Sequence, residues 1–145
     1  MTIYLGADHA GFQLKENLKK YLADQNLKVK DLGNTKLNKK DDYPQFAQAV
    51  AAAVSKNKNH RGILICGSGQ GMCMAANKHK KIRAAMGYSL KTAKISRQDN
   101  DSNILCLAGR VLSAAKAKKI VMTWLDTDFS KLKRYENRIQ QLNKL

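Results

Sequence analysis

Short runs of apolar residues alternate along this chain with longer stretches in which apolar residues recur every three or four positions. Five of the short runs have the length and apolar content of β-strands. The second of them alternates apolar and polar residues, as a strand near a sheet edge does, and the third is continuously apolar, which suits a central parallel strand. The predicted strands are TIYLGAD (2–8), LKVKDLG (27–33), GILICG (62–67), IRAAMGY (82–88) and NILCLAG (103–109).

The stretches between these runs carry helical periodicity. Ser89 stands where it can cap one helix, and Pro44 falls in the first turn of another, where proline is tolerated. The predicted helices cover about 12–22, 41–56, 71–79, 89–98, 113–125 and 131–144.

Strands and helices alternate regularly, which predicts an α/β fold with a doubly wound parallel sheet. The 145 residues contain no repeat, linker or low-complexity tract, so we expect a single domain over 1–145. Functional sites of such sheets form at the carboxyl ends of the strands. Asp8 and His9, the stretch from Cys66 to Gly71, and Gly109 with Arg110 all follow strand ends, so we expect them to share one rim of the sheet.

The chain is strongly basic, with a net charge of +16 and no acidic residue between Asp42 and Asp99. A solvated coat of lysines, attraction for small anionic substrates and nucleic-acid binding are all compatible with this charge. Aromatic residues are sparse and are not interleaved with basic ones, so nucleic-acid binding is the least favoured of the three.

The sequence shows no signal peptide, and no apolar run reaches the roughly 18 residues of a membrane span, so no membrane association is expected. The three cysteines, Cys66, Cys73 and Cys106, are odd in number and lie in apolar segments. Such a pattern fits reduced thiols in the cytoplasm better than a disulfide framework.

The stretch LICGSGQG at 64–71 places a cysteine directly before a glycine-rich loop. Its spacing is not that of a dinucleotide-binding loop, no acidic residue follows at the distance that the ribose requires, and the P-loop lysine is missing. A strand–loop–helix turn of this kind can hold an anion or a developing oxyanion with its amides. Cys66 is either a reactive thiol, made more acidic by this cationic turn, or a small buried packing residue. The histidines and cysteines show no ligand spacing, and no metal site is expected.

Several other residues have both a functional and a structural interpretation. Asp8 can contact a ligand at the end of the first strand or cap the following helix. Arg110, Arg134 and Arg138 can form a forked phosphate clamp or remain exposed without a ligand. The polar cluster RQDNDSN at 97–103 can serve a site or simply form a turn before the fifth strand.

Across the whole chain there follow in order GADHAG (6–11), DYP (42–44), GILICGSGQGMCMAANK (62–78), SRQDNDSN (96–103) and RYENR (134–138). Together these motifs resemble the type B ribose-5-phosphate isomerases and the related galactose-6-phosphate isomerase subunits. The most specific of them is the cysteine–glycine loop that runs into AANK. The resemblance implies a Rossmann-like three-layer sandwich with a five-stranded parallel sheet. It also implies a homodimer or homotetramer whose active sites are shared between subunits, and for the galactose branch a hetero-oligomer with a second isomerase subunit.

The resemblance further implies isomerisation of an aldose phosphate to a ketose phosphate without a metal or organic cofactor. Cys66 would move a proton between C1 and C2 through an enediolate, which the amides of the loop would stabilise. The C-terminal helix, about 131–144, would contribute to the site or to the dimer. Carried over by position, the substrate-binding residues are Asp8, His9, Tyr43, Gly67, Ser68, Gly69, Gln70, Gly71, Asn100, Arg110, Arg134 and Arg138, with His9 and the three arginines on the phosphate.

One departure from the resemblance concerns Asp99, which stands where the ribose-phosphate enzymes have a histidine that opens the furanose ring. An imidazole exchanges protons near neutral pH, whereas an aspartate carboxyl has an ordinary pKa of about 4 and is a poor acid at pH 7. Asp99 opens the ring less well, or water or another residue does so, or the substrate is different. We therefore expect a ribose-5-phosphate isomerase, with a hexose-6-phosphate isomerase subunit and a non-catalytic sugar-phosphate-binding protein as alternatives.

Overall fold

A computed structural model describes all 145 residues, which form five strands and six helices. Each predicted strand and helix is present. The strands are β1 (Ile3–Ala7), β2 (Val29–Asp31), β3 (Arg61–Cys66), β4 (Ala84–Met86) and β5 (Ile104–Ala108). The helices are α1 (Phe12–Asp24), α2 (Tyr43–Val54), α3 (Gln70–Ala76), α4 (Leu90–Asn100), α5 (Ala114–Leu125) and α6 (Lys133–Leu142).

All strand pairs are parallel, and the strand order is β2-β1-β3-β5-β4. The alternating second run thus forms an edge strand, and the continuously apolar third run lies in the centre, as their patterns predict. In the central register Cys66 is opposite Ala108, so the last residues of β3 and β5 are level with each other.

Two hydrophobic cores lie on the two faces of the sheet, because successive strand residues point to opposite sides. Ile63 and Ile65 contribute to the core under α1, α4 and α5. Leu64 and Cys66 contribute to the core under α2 and α3. The result is the expected α/β three-layer sandwich with a five-stranded parallel sheet.

Helix α4 begins as predicted but ends later. Ser89 accepts a hydrogen bond from the N–H of Thr92, and the Thr92 side chain accepts one from the N–H of Ser89, so the two residues form a capping box. The helix continues to Asn100, so the first four residues of the 97–103 cluster are helical, and the interpretation of that cluster as a turn is wrong for them. The left-handed residue Asp101 (φ 45°) then ends the helix.

A buried polar cluster joins α4, β5 and α5. Ser96 and Ser102 share a hydrogen bond of 2.8 Å, and the indole N–H of Trp124 donates to the Ser102 hydroxyl at 2.8 Å. Arg97 donates to Asp101 and to the Ser102 carbonyl, each at 2.6 Å. These polar groups therefore satisfy one another away from water, as buried polar groups must.

No helix of the chain combines the length and the apolar character needed to cross a bilayer.

Candidate active site

The ends of β1, β3 and β5 meet at one rim, as predicted. The N–H of Asp8 donates to the carbonyl of Ile65, and the N–H of Gly109 donates to the carbonyl of Cys66. The N–H of Arg110 donates to the carbonyl of Gly67 at 3.1 Å. These backbone bonds hold the Asp8–His9, Cys66–Gly71 and Gly109–Arg110 stretches next to one another.

The Cys66 thiol lies at the base of the glycine loop, with only 5% of the residue exposed. The N–H of Gly69 donates to its sulfur at 3.2 Å. Gly69 has a φ of +78°, in the left-handed region that glycine tolerates best, and a Cβ at this position would lie 3.0 Å from the backbone carbonyl of Leu107. The sulfur thus faces a backbone donor at the end of β3, where a thiol can take up and return a proton.

Three backbone amides of the loop are available for an anion. The N–H groups of Gly67, Ser68 and Gly71 donate to no acceptor within the chain, whereas that of Gln70 has a long contact of 3.4 Å with the Ser68 hydroxyl. The side chains of Ser68 and Gln70 are exposed. The loop thus combines a thiol and free amides at one place, which is the pair of features that an enediolate requires.

Tyr43 and Arg110 flank the glycine loop. A Cβ on Gly71 would lie 2.7 Å from the Tyr43 ring, so the ring rests directly on the glycine. A Cβ on Gly67 would lie 3.2 Å from the guanidinium of Arg110. The Tyr43 ring and the Arg110 guanidinium come this close because residues 71 and 67 are glycines without a side chain. The close contacts place one aromatic ring and one positive charge beside the loop that carries Cys66.

Asp8 has a structural role at the start of α1, which is one of the two interpretations of this residue given above. Its carboxylate is buried, and Oδ1 accepts hydrogen bonds from the N–H groups of Ala10 and Gly11 at 3.0 and 3.1 Å. These bonds form the turn into α1. The contacts within the chain involve Oδ1 alone, so a substrate-binding role for Asp8 rests on Oδ2.

Sequence reasoning missed Asp41, which is the partner of His9. Oδ1 of Asp41 accepts from the His9 backbone N–H at 2.9 Å and contacts His9 Nδ1 at 2.8 Å. The two residues are 32 positions apart, and the only signal in the sequence was the doubled carboxylate of the DDYP stretch.

Four expected site residues do not join this rim within one chain. Asp99 and Asn100 are the last residues of α4, four to five positions before β5 begins, whereas Cys66 is level with the last residue of β5. The strand alone separates the two ends by about 13 Å at 3.3 Å per residue. Asn100 instead lines a groove of about 630 Å³ together with Arg83 and residues 142–145 at the end of α6.

Arg134 and Arg138 project from α6, which packs on α4 and has no buried residue. Their guanidinium groups lie 4.8 and 5.8 Å from the centre of the Tyr135 ring, and Arg134 donates to the Tyr135 hydroxyl at 3.1 Å. The aromatic ring thus holds both cations on one exposed surface. The predicted phosphate clamp divides into two groups, His9 with Arg110 at the rim and this pair on α6.

The other two cysteines, Cys73 and Cys106, share a hydrogen bond, which lowers the pKa of the Cys73 thiol. Cys106 is fully buried, and a hydrogen bond with Cys73 together with burial raises the pKa of its thiol well above the ordinary value. A thiol of raised pKa stays protonated and unreactive. All three cysteines are free, and no group of three or more His, Cys, Asp or Glu side chains is arranged to hold a metal ion.

Comparison with known proteins identifies the family of the chain. The sequence profile of the Ribose/Galactose Isomerase family matches residues 3–142. A relative named probable ribose-5-phosphate isomerase B, from Mycoplasma pneumoniae, is 46% identical over 88% of this chain and 84% of its own length. Another, named D-erythrulose-4-phosphate isomerase, from Pectobacterium atrosepticum, is 37% identical over 89% of this chain and 85% of its own.

Among solved structures, ribose-5-phosphate isomerase B from Mycoplasma genitalium with bound ribulose-5-phosphate superposes with a TM-score of 0.95. It is 40% identical, and the match covers 99% of this chain and 94% of the other. The chain therefore belongs to the Ribose/Galactose Isomerase family, which confirms the resemblance read from its motifs.

Proposed function

We propose that this protein interconverts ribose 5-phosphate and ribulose 5-phosphate by metal-independent proton transfer. The observation that carries the proposal is the buried Cys66 thiol, which accepts a hydrogen bond from the Gly69 N–H and lies at the base of a loop with three unpaired amides. The family of the chain and the ribulose-5-phosphate bound to its Mycoplasma genitalium relative support the choice of a pentose phosphate.

In the proposed reaction Cys66 removes the proton from C2 of the open-chain aldose. The electron pair of the broken C–H bond forms the C1=C2 double bond, and the aldehyde oxygen becomes negative. The amides of the 67–71 loop stabilise this oxygen. Return of the proton to C1, with transfer of the O2 proton to O1, gives the ketose. Tyr43, which lies on Gly71, covers the loop and contacts the sugar hydroxyls together with Asp8.

The remaining groups come, in this proposal, from a second copy of the chain in a homodimer. In one chain Asp99 and Asn100 end α4, and Arg134 and Arg138 stand on α6, which packs on α4; this α4–α6 surface is not part of the rim. A second copy that places this surface at the rim completes the phosphate clamp with His9 and Arg110. The three free thiols fit the reducing cytoplasm.

Mixed dimers test the sharing of sites. A Cys66→Ala chain and an Arg134→Ala chain, each nearly inactive alone, are unfolded together and refolded at equal amounts. Random pairing makes half of the dimers mixed, and each mixed dimer has one intact site, so about a quarter of the wild-type activity returns. Activity that stays at the level of the single variants contradicts shared sites. In a control that mixes Cys66→Ala and Cys66→Ser chains, no dimer contains an intact site, so no activity should return.

A second candidate substrate is a sugar phosphate that has no ring to open, such as erythrulose 4-phosphate. The specific observations are Asp99, a carboxylate where an acid for ring opening is expected, and the relative named D-erythrulose-4-phosphate isomerase. A four-carbon sugar phosphorylated on O4 cannot form a furanose, so its isomerisation needs only the Cys66 half of the chemistry. Galactose 6-phosphate, in a hetero-oligomer with a second subunit, and binding without turnover are the further alternatives.

The first experiment assays the purified chain on ribose 5-phosphate, erythrulose 4-phosphate and galactose 6-phosphate. We expect turnover of ribose 5-phosphate that falls by a factor of 10² to 10⁴ in Cys66→Ala, the usual effect of losing a general base. Cys73→Ala, which removes a thiol outside the loop, is the matched control. Turnover of erythrulose 4-phosphate alone supports the second candidate. Thermal stabilisation by all three without turnover refutes the enzyme and leaves a binding protein.

A further inference from the structure

The segment that connects β2 to α2, residues 32–42, is held in place by polar contacts. Residues 35–40 are exposed, so the segment has little apolar packing of its own. Its C-terminal end nevertheless meets the rim, because Asp41 contacts His9 and Tyr43 follows directly with its ring on Gly71. The position of both site residues therefore depends on what fixes this segment.

Asp41 determines how the His9 ring is presented. An ionised carboxylate only accepts hydrogen bonds, so Nδ1 of His9 carries the proton in the 2.8 Å contact with Oδ1. The His9 backbone N–H donates to the same oxygen, which fixes the ring relative to its own main chain. The Asp41 side chain is 3% exposed and that of His9 is 32% exposed. Nε2, which has no partner within the chain, is thus the nitrogen available to a ligand.

Behind Asp41 the contacts continue to a buried lysine. The Asn34 amide donates to Oδ2 of Asp41 at 2.8 Å, and the carbonyl of Asn34 accepts from Nζ of Lys15 at 2.9 Å. Lys15 has no exposed surface, and its other donors are directed to Glu16 and Asp31. A lysine is rarely buried unless all of its donors are satisfied. Here one of those donors holds the segment that carries Asp41.

We propose that Asp41 is a positioning residue for the substrate phosphate. It holds the Nδ1–H of His9, so that Nε2 is directed to the ligand and, once the ring takes up a second proton there, donates a hydrogen bond to a phosphate oxygen. Lys15 and Asn34 hold Asp41 in turn. This inference rests on the proposed role of His9 as a phosphate ligand, but its geometric part stands apart from any activity. Orienting partners behind a histidine commonly change affinity 10- to 100-fold when they are removed, as is established for metal ligands.

The first test reads the tautomer directly. Nitrogen-15 chemical shifts of the His9 ring, recorded on the neutral imidazole without substrate, distinguish a proton on Nδ1 from one on Nε2. We expect the Nδ1–H form in the wild type and a mixture of both forms in Asp41→Ala. Asp42→Ala is the matched control, because this neighbouring carboxylate is exposed and its side chain makes no capping hydrogen bond. An Nε2–H wild type, or an Asp41→Ala ring that keeps Nδ1–H, overturns the proposal.

Asp41→Asn keeps the test decisive if the alanine variant does not fold. The His9 backbone N–H still requires an oxygen, so the asparagine oxygen takes the place of Oδ1 and the Nδ1–H form is retained. The asparagine amide then faces the amide of Asn34, and the charge is lost. Loss of the Nδ1–H form in a folded Asp41→Asn protein contradicts the assigned geometry.

The second test measures affinity. We expect KM for ribose 5-phosphate and the dissociation constant for inorganic phosphate to rise about 10-fold or more in Asp41→Ala, with kcat changed less than threefold. Asp42→Ala leaves both constants unchanged. A fall in kcat at constant KM refutes phosphate positioning. If ribose 5-phosphate proves not to be a substrate, the proposed function fails while the tautomer and the phosphate titration still decide the role of Asp41.

Discussion

Replacement of Gly69 by alanine tests the loop geometry, because one added methyl group meets two separate obstacles. The residue has a φ of +78°, where an L-residue with a Cβ is disfavoured by roughly 1–2 kcal/mol. The new Cβ would also lie 2.8 Å from Cε of Met86 and 3.0 Å from the carbonyl of Leu107. The methionine can move, but the carbonyl belongs to the interior strand β5, between β3 and β4, and cannot move without loss of sheet hydrogen bonds.

Overpacking of this kind typically costs 1–3 kcal/mol, so strain and crowding together lower the free energy of unfolding by about 2–4 kcal/mol. Since 1 kcal/mol changes Tm by roughly 2–4 °C in a domain of this size, Gly69→Ala should melt about 5–15 °C lower. The loop relieves the contact by moving away from β5, which displaces the Gly69 N–H from the sulfur of Cys66. Turnover should therefore fall about 10-fold or more even well below the melting temperature.

Differential scanning fluorimetry and an assay of ketose formation measure the two effects on the same preparation. Ser68→Ala is the control for stability, because the neighbouring side chain is exposed and exposed substitutions usually change stability by less than about 0.5 kcal/mol. A Gly69→Ala protein with wild-type Tm refutes the assigned backbone conformation. One that melts lower but turns over normally refutes the link between this amide and Cys66.

Three further predictions concern the core, acid stability and the substrate. Trp124→Phe removes the indole N–H that donates to a buried serine hydroxyl, and it should lower the free energy of unfolding in urea by about 1–2 kcal/mol; an unchanged midpoint contradicts the buried cluster. Burial alone would raise the pKa of Asp31, but hydrogen bonds from Lys15 and Lys19 outweigh it and lower that pKa. The stability gained from this ion pair is therefore complete above about pH 4 and is lost as pH falls through the lowered pKa, so urea midpoints between pH 5 and pH 2 should fall more steeply in the wild type than in Asp31→Asn. Asp99→His should raise the turnover of ribose 5-phosphate, measured from the ring form, if ring opening is slow; unchanged turnover places that step elsewhere.

The sequence predicted the order and type of the strands and helices because apolar periodicity is a local property. It also predicted the common rim, since parallel strands bring their carboxyl ends together whatever the side chains are. The contact between His9 and Asp41 was not predictable, because a pattern of residues does not specify side-chain partners 32 positions apart. Periodicity does not distinguish Lys15 from the exposed lysines near it, and only the three-dimensional fold shows an acidic partner and a carbonyl converging on it. Asp99 lies away from Cys66 because of the direction in which α4 runs. The order of the motifs along the chain does not show that direction.

Helix α6 has a consequence for the energetics of binding. It is ten residues long and buries none of them, and isolated helices shorter than about 12–15 residues are marginal in water. Its amides should therefore exchange with solvent faster than those of any other helix, at a local opening free energy well below that of the core. Arg134 and Arg138 stand on this element, so a phosphate that engages both also orders the helix. Part of the favourable interaction energy then offsets the free energy needed to fold the last turns of the chain. The affinity for the ligand therefore depends on how helical these turns are before binding.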